Sequence, residues 1–138
     1  MPQISTTDAA FAPEEMFALL DIFTFNKSFI SQDLADMRYR ASVQPGFHES
    51  YSQMFPAPRQ NGISKIATPE KDIAGIQHKT LIIHGYEDQV IPVENSFRFL
   101  SLIEHAQLHI FRQCGHWTQI EQTDAFNALV GQFLSQAD

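Results

Sequence analysis

The sequence predicts an α/β protein: a helical segment over residues 1–75, then a β-α-β-α unit with parallel strands over residues 76–138. Three observations carry this prediction. Before residue 75, helix-spaced apolar residues alternate with Pro, Gly and Asn breakers, and no strand-like run occurs. Thr80-Leu81-Ile82-Ile83-His84-Gly85 is short, apolar and β-branched, as expected of a strand buried on both faces of a parallel sheet. From there to residue 135 strand and helix patterns alternate, which implies parallel strands joined by right-handed crossovers.

Residues 1–12 read as a loose lead-in. Pro13 suits a first helical position, with Glu14 and Glu15 near the positive helix end and Met16, Leu19, Leu20 and Phe23 at helical spacing. Asn26-Lys27-Ser28 break that helix. Ser31 is placed to cap a second one, with Asp33 in its first turn and Leu34, Met37, Arg38 and Ala41 on one face. Pro45-Gly46 end it, a third short helix holds Phe47, Tyr51 and Met54, and Pro56, Pro58, Asn61 and Gly62 read as a loop. In the second half Pro92 opens a helix with Val93, Phe97, Leu100 and Ile103 inside. Ala106–Phe111 is the second strand. Thr123 caps a last helix with Phe126, Leu129, Val130, Phe133 and Leu134 on one stripe.

Composition narrows the function. The 138 residues suffice for one core, and 43% apolar residues with twelve Phe describe a globular chain. A net charge of −7 argues against a nucleic-acid partner. No stretch approaches the roughly 20 apolar residues that span a bilayer. No signal-like segment opens the chain, and the single cysteine, Cys114, cannot form an internal disulfide; a cytoplasmic location is the expectation. His48, His78, His84, His105 and His109 show no metal-ligand spacing, so neither metal nor organic cofactor is expected.

In open α/β sheets functional groups collect beyond the carboxyl ends of strands. Here those ends are Gly85-Tyr86-Glu87-Asp88-Gln89-Val90-Ile91-Pro92 and Gln113-Cys114-Gly115-His116-Trp117. An acid on one loop and a His on the next would face each other, the carboxylate fixing the imidazole tautomer and stabilising its protonated form. Asp88 can also be read as a turn residue, His116 as a cap or core residue, and Glu87 competes as the acid. The joint pattern, G-x-x-D-x-x-x-P after one strand and G-H-W after the next, favours an acid–base pair of Asp88 and His116. Acid before His is the chain order of α/β-hydrolases, whose serine comes earlier still. Arg38 borders the apolar face of its helix and can be read as a snorkelling surface residue. Packing is the plain reading of Trp117 and Phe23, and Cys114 reads as a small buried residue.

The segments HGYEDQVIP and FRQCGHWTQIEQTDAFNALVGQFL, with LDIFTFNKSFI, LADMRYRASVQPGF and MFPAPRQ upstream, resemble the meta-cleavage-product hydrolases of aromatic catabolism, in particular 2-hydroxymuconic semialdehyde hydrolases. The resemblance implies the C-terminal portion of an α/β-hydrolase fold, with residues 1–75 as the lid above the active site and 76–138 as core. It implies hydrolysis of a carbon–carbon bond in a 2-hydroxy-6-oxo-dienoate, a small-molecule substrate. Asp88 takes the triad-acid position and His116 that of the base. Arg38 and Trp117 match active-site positions, and Phe23 and Ile91 match the apolar end of the pocket. An inward Arg38 would suit the substrate carboxylate.

The chain departs from that family in holding no G-x-S-x-G; Ser64, after Gly62, lacks the second Gly and a preceding strand. The expectation is therefore a fragment beginning near the lid, inactive by itself. An unpaired sheet edge would favour association, with a second copy or another partner. Two alternatives stand beside the main reading: another lidded α/β-hydrolase such as an ester hydrolase, and an inert fragment or binding module.

Overall fold

The computed structural model describes residues 13–136, so the lead-in read over 1–12 lies outside the described residues. The chain divides into two compact units, one holding residues 13–18 and 31–66 and the other residues 19–30 and 67–136. Helix α1, Pro13–Phe23, passes from the first into the second.

The first unit is helical. Ser31 caps α2, Gln32–Ser42, its Oγ accepting the Leu34 N–H at 3.1 Å. Gly46, at φ +82°, takes the left-handed turn that a side chain would oppose and leads into α3, Phe47–Met54. Two expectations fail here. The buried residue of α2 is Ala35, whereas Met37, Arg38 and Ala41 are exposed: a stripe chosen by hydrophobicity alone skips the small residue that lets a neighbour approach. Asn61 and Gly62 are not loop but part of α4, Arg59–Ile66. Pro58 accounts for the error, since proline directly before a helix starts it as readily as proline inside one ends it, and its carbonyl accepts the Asn61 N–H at 2.9 Å.

In the second unit a single 3₁₀ turn, Lys27–Phe29, follows α1, and a short helix α5, Glu70–Ala74, precedes the sheet. Strands β1, Thr80–Gly85, and β2, Ala106–Phe111, pair in parallel from Thr80↔Ala106 to Gly85↔Phe111, with α6, Glu94–Leu102, as the crossover. Matched ends put both outgoing loops side by side. The helices α7, Thr118–Glu121, and α8, Thr123–Ser135, complete the unit.

Two details differ from expectation. Within α6 the buried residue is Ser96, not Phe97 or Leu100, which are exposed, while Ile103 is buried just past the helix end. Thr123 does not cap α8: its hydroxyl donates back to the Gln119 and Ile120 carbonyls at 3.0 and 2.9 Å, tying α8 to α7 instead of satisfying the new helix. Along the α8 stripe Phe126, Leu129, Val130 and Phe133 are half-buried, but Leu134 is exposed. Among the described residues no helix is long and apolar enough to cross a membrane.

Candidate active site

The two loops meet because both carry glycine where they cross. A Cβ on Gly85 would lie 2.0 Å from the Gly115 carbonyl oxygen and 2.4 Å from that of Cys114. One on Gly115 would lie 2.7 Å from the Phe23 carbonyl oxygen and 2.9 Å from the Phe25 nitrogen. The chain reaches this crossing through Gln113, at φ +54°, a left-handed conformation costly for a residue with a side chain. The Glu87 N–H donates to the Cys114 carbonyl at 3.0 Å, and the Cys114 N–H donates to a Glu87 carboxylate oxygen at 3.1 Å.

That use of Glu87 answers which of the two acids faces the histidine. Glu87 is spent on the Cys114 backbone and on Arg112, 3.5 Å away, whose guanidinium also lies over the Tyr86 ring. Asp88 turns the other way, and its Oδ2 accepts from His116 Nδ1 at 2.9 Å. Its Oδ1 accepts the Val90 and Ile91 N–H groups at 2.7 and 3.0 Å, so Asp88 is also the turn residue of its loop. The two readings of Asp88 describe one geometry: the turn aims the second oxygen. Burial pushes the Asp88 carboxyl up, but the Ile91 N–H, the His116 side chain and the Val90 N–H outweigh it and hold its pKa below the ordinary value.

His116 is held from three directions. Its ring meets Asp88, its backbone N–H donates to the Phe23 carbonyl at 2.8 Å, and its ring centroid lies 5.4 Å from that of Phe23. Phe23 in turn stacks on Trp117, centroids 5.1 Å apart and planes at 8°. Trp117 is buried and Phe23 half-buried, so the stacked pair serves packing and borders His116 at once. With Nδ1–H given to Asp88, His116 Nε2 keeps its lone pair and is able to act as a general base.

A buried carboxylate that sequence reading gave no role holds this region. Glu121 accepts the Phe25 and Asn26 N–H groups at 2.8 and 2.9 Å through one oxygen and the Gly115 N–H at 2.7 Å through the other. It clamps the loop after α1 to the loop that carries His116. The motif C-G-H-W-x-Q-x-E contains it, but a Glu at a helix end reads as surface unless its partners are known.

The remaining candidates are placed less centrally. Ile91 joins through its backbone, and its side chain is 41% exposed. Arg38 lies on α2 in the helical unit and is exposed. Cys114 is fully buried, and burial, with the Glu121, Glu87 and Asp88 charges, pushes its thiol up to about 12, which leaves it inert. An open depression of about 380 Å³ beside Phe25, Lys27, Gln113 and Glu121 includes neither Asp88 nor His116. Among the described residues no cluster of His, Cys, Asp and Glu could hold a metal ion.

Residues 14–123 match the model of the alpha/beta hydrolase fold family. The chain belongs to that family. It is 52% identical over 124 residues to a 2-hydroxymuconate semialdehyde hydrolase of Pseudomonas sp. (strain CF600), covering 90% of this chain and 44% of the relative. It is 49% identical over 123 residues to a 2-hydroxy-6-oxo-2,4-heptadienoate hydrolase of Pseudomonas putida, covering 89% of this chain and 45% of the relative. A solved meta-cleavage product hydrolase from Pseudomonas fluorescens IP01 superposes with a TM-score of 0.87 at 54% identity, over 92% of this chain and 47% of that one. The chain therefore spans a little under half the length of the relatives it matches.

Proposed function

We propose that this chain supplies the acid–base part of a hydrolase that cleaves a carbon–carbon bond in a 2-hydroxy-6-oxo-dienoate of the 2-hydroxymuconic semialdehyde type, in the catabolism of aromatic compounds. The observation that carries the reading is the 2.9 Å hydrogen bond from His116 to a nearly buried Asp88, at the adjacent ends of β1 and β2. It stands in a chain about half identical to hydrolases named for such substrates.

In this reading His116 Nε2 takes a proton from the attacking hydroxyl, and Asp88 stabilises the imidazolium that forms. The 2-hydroxy group first gives up its proton and C5 gains one, which leaves a 2,6-dioxo form; the 6-oxo carbon is then attacked, its bond to C5 breaks, and the dienolate of the 2-oxo acid leaves and takes up a proton. Water finally releases the oxo fragment as a carboxylic acid. The nucleophilic serine must come from outside these 138 residues, because no G-x-S-x-G occurs in them. Phe23, Trp117 and Ile91 line the apolar side of the substrate site, and Arg38 holds the substrate carboxylate. Residues 1–75 act as lid and 76–138 as core. The chain's partners are the dienoate and the chain segment or second copy that covers the open sheet edge. The site uses no cofactor, and the enzyme works in the cytoplasm.

The test is a fusion of this chain behind the segment that precedes the match in the Pseudomonas sp. (strain CF600) relative. The fusion is expected to bleach the coloured ring-fission product, and His116→Ala to slow it by the ~10²–10⁴-fold typical of a lost general base. The 138-residue chain alone is expected to show no turnover. Activity on aryl esters but not on the dienoate would overturn the substrate class. Activity of the fusion that survives His116→Ala would overturn the assignment of the base.

A further inference from the structure

A second imidazole reaches the same carboxylate. His84, one residue before the end of β1, is buried, and its Nε2 lies 3.0 Å from the Ile91 carbonyl oxygen and 3.3 Å from Asp88 Oδ2. Its Nδ1 lies 2.6 Å from the Oγ of Ser96, the buried residue of α6. A carbonyl oxygen and a carboxylate oxygen only accept, so Nε2 must carry the hydrogen. In the neutral ring Nδ1 then holds the lone pair, and the Ser96 hydroxyl donates to it. The opposite neutral tautomer would aim a lone pair at two oxygens.

With His84 included, polar groups of the protein stand beside both oxygens of the Asp88 carboxylate. Val90 and Ile91 N–H groups bond Oδ1 and His116 bonds Oδ2, while His84 Nε2, bonded to the Ile91 carbonyl, stands 3.3 Å from the same Oδ2. A carboxylate accepts about four hydrogen bonds, and this side chain is 5% exposed, so water has little access to replace a lost donor. The turn fixes Oδ1. Oδ2 takes its hydrogen bond from His116, the group whose contact must survive each proton transfer, and His84 is the other polar group beside it.

We propose that His84, its tautomer set by Ser96, is a positioning residue for Asp88, holding Oδ2 on the line to His116 Nδ1. The proposal rests on the reading of Asp88 and His116 as an acid–base pair. It explains a histidine within a buried strand and a serine on the inner face of α6, where apolar residues would otherwise be expected.

Side-chain NMR of the 138-residue chain with labelled histidine tests it without any turnover. The wild type is expected to show His84 as the Nε2–H tautomer and His116 with a slowly exchanging Nδ1–H. In His84→Leu that proton should exchange roughly tenfold faster or more, as expected when Oδ2 loses the imidazole that stands beside it. Backbone amide signals away from the loops should keep their positions. His84→Gln, whose amide nitrogen reaches about as far as Nε2, should restore slow exchange, a rescue that mere packing would not give. Ser96→Ala should mix the His84 tautomers and speed exchange by less.

Unchanged exchange in His84→Leu overturns the proposal, as does an Nδ1–H tautomer of His84 in the wild type. If His84→Leu fails to fold, Ser96→Ala decides: unchanged tautomer and exchange overturn the proposal. The functional reading fails separately. A fusion with no dienoate turnover, in a protein whose imidazole signals behave as stated, removes the reaction and leaves the positioning role in place.

Discussion

The two units spend their residues differently. Among the described residues the helical unit buries Met16 and Ala35 and no polar side chain, and both units leave large apolar residues exposed, Phe47 and Met54 in one, Phe97 and Leu134 in the other. The unit with the sheet buries polar groups, His84, Ser96, Thr118 and Glu121, and no buried side-chain polar atom among the described residues lacks a partner. Buried polar groups are costly unless each is satisfied, so such a network tolerates few alternatives. Exposed apolar residues define no geometry at all. The contrast suits a rigid acid–base loop pair in the unit with the sheet, and it makes the expected cost of a substitution depend strongly on whether it falls in that buried network.

The largest effect is expected at Gly85. A methyl group there would overlap two backbone carbonyl oxygens that cannot rotate away, at 2.0 and 2.4 Å. Gly85→Ala should cost more than about 4 kcal/mol and collapse the loop crossing, seen as a large fall in the urea midpoint. Gly131→Ala is the control. Nothing lies within 4 Å of its added methyl inside α8, so it should gain about 0.5–1 kcal/mol. Equal behaviour of the two would show that the loops do not cross as described.

Glu121→Ala comes next. It strips the acceptor from three N–H groups around a buried carboxylate, and each unsatisfied donor costs about 1–3 kcal/mol. A loss on the order of 3 kcal/mol or more should appear with fast hydrogen exchange at Phe25, Asn26 and Gly115. Protection retained at Gly115 would mean that the Glu121 clamp is not what holds the His116 loop.

A smaller effect is expected from acid. Because the folded protein holds the Asp88 pKa below its ordinary value, Asp88 contributes stability in full above its unfolded pKa of about 3.9. That contribution is lost as pH falls below this value and through the lowered folded one. Urea midpoints measured between neutral pH and pH 3 should therefore fall more steeply for the wild type than for Asp88→Asn. Parallel curves would show that the hydrogen bonds to Asp88 do not favour its ionised form.

How much of this was legible follows from what each feature depends on. The β-α-β-α unit was readable because an unbroken apolar, β-branched run marks a parallel strand, as in residues 80–85, although only His84 and Gly85 of that run are buried and the first four residues are half-buried. That an acid of the first loop meets His116 follows from chain order and strand ends, and the choice of Asp88 rests on the G-x-x-D-x-x-x-P pattern and the resemblance. Glu121, His84 and Ser96 were not readable, since their signal lies in partners up to 96 residues away, such as Glu121 with Phe25. Helix α4 escapes the sequence because Pro58 reads as loop where it starts a helix, and the α2 face because Ala35 carries too little hydrophobicity to register. Glu87 and Asp88, adjacent and chemically alike, separate only through the backbone groups each one meets.

The smallest effect should come from the helical unit, and it tests the comparison from its other side. Met54, at the end of α3, is 66% exposed. Full burial of such a side chain would stabilise by about 1.5–3 kcal/mol, but little of that is realised when most of the surface stays in water. Met54→Gln removes hydrophobicity at similar length and helix propensity, so stability should change by no more than about 0.5 kcal/mol. The urea midpoint should be indistinguishable from wild type across a range of protein concentrations. A loss above about 1.5 kcal/mol that fades on dilution would show this face covered by a second copy, since stabilisation by association follows mass action. A loss of that size independent of concentration would mean that α3 is buried within the chain. In either case the helical unit would belong with the sheet unit as a structure held by burial, and the contrast between them would fall.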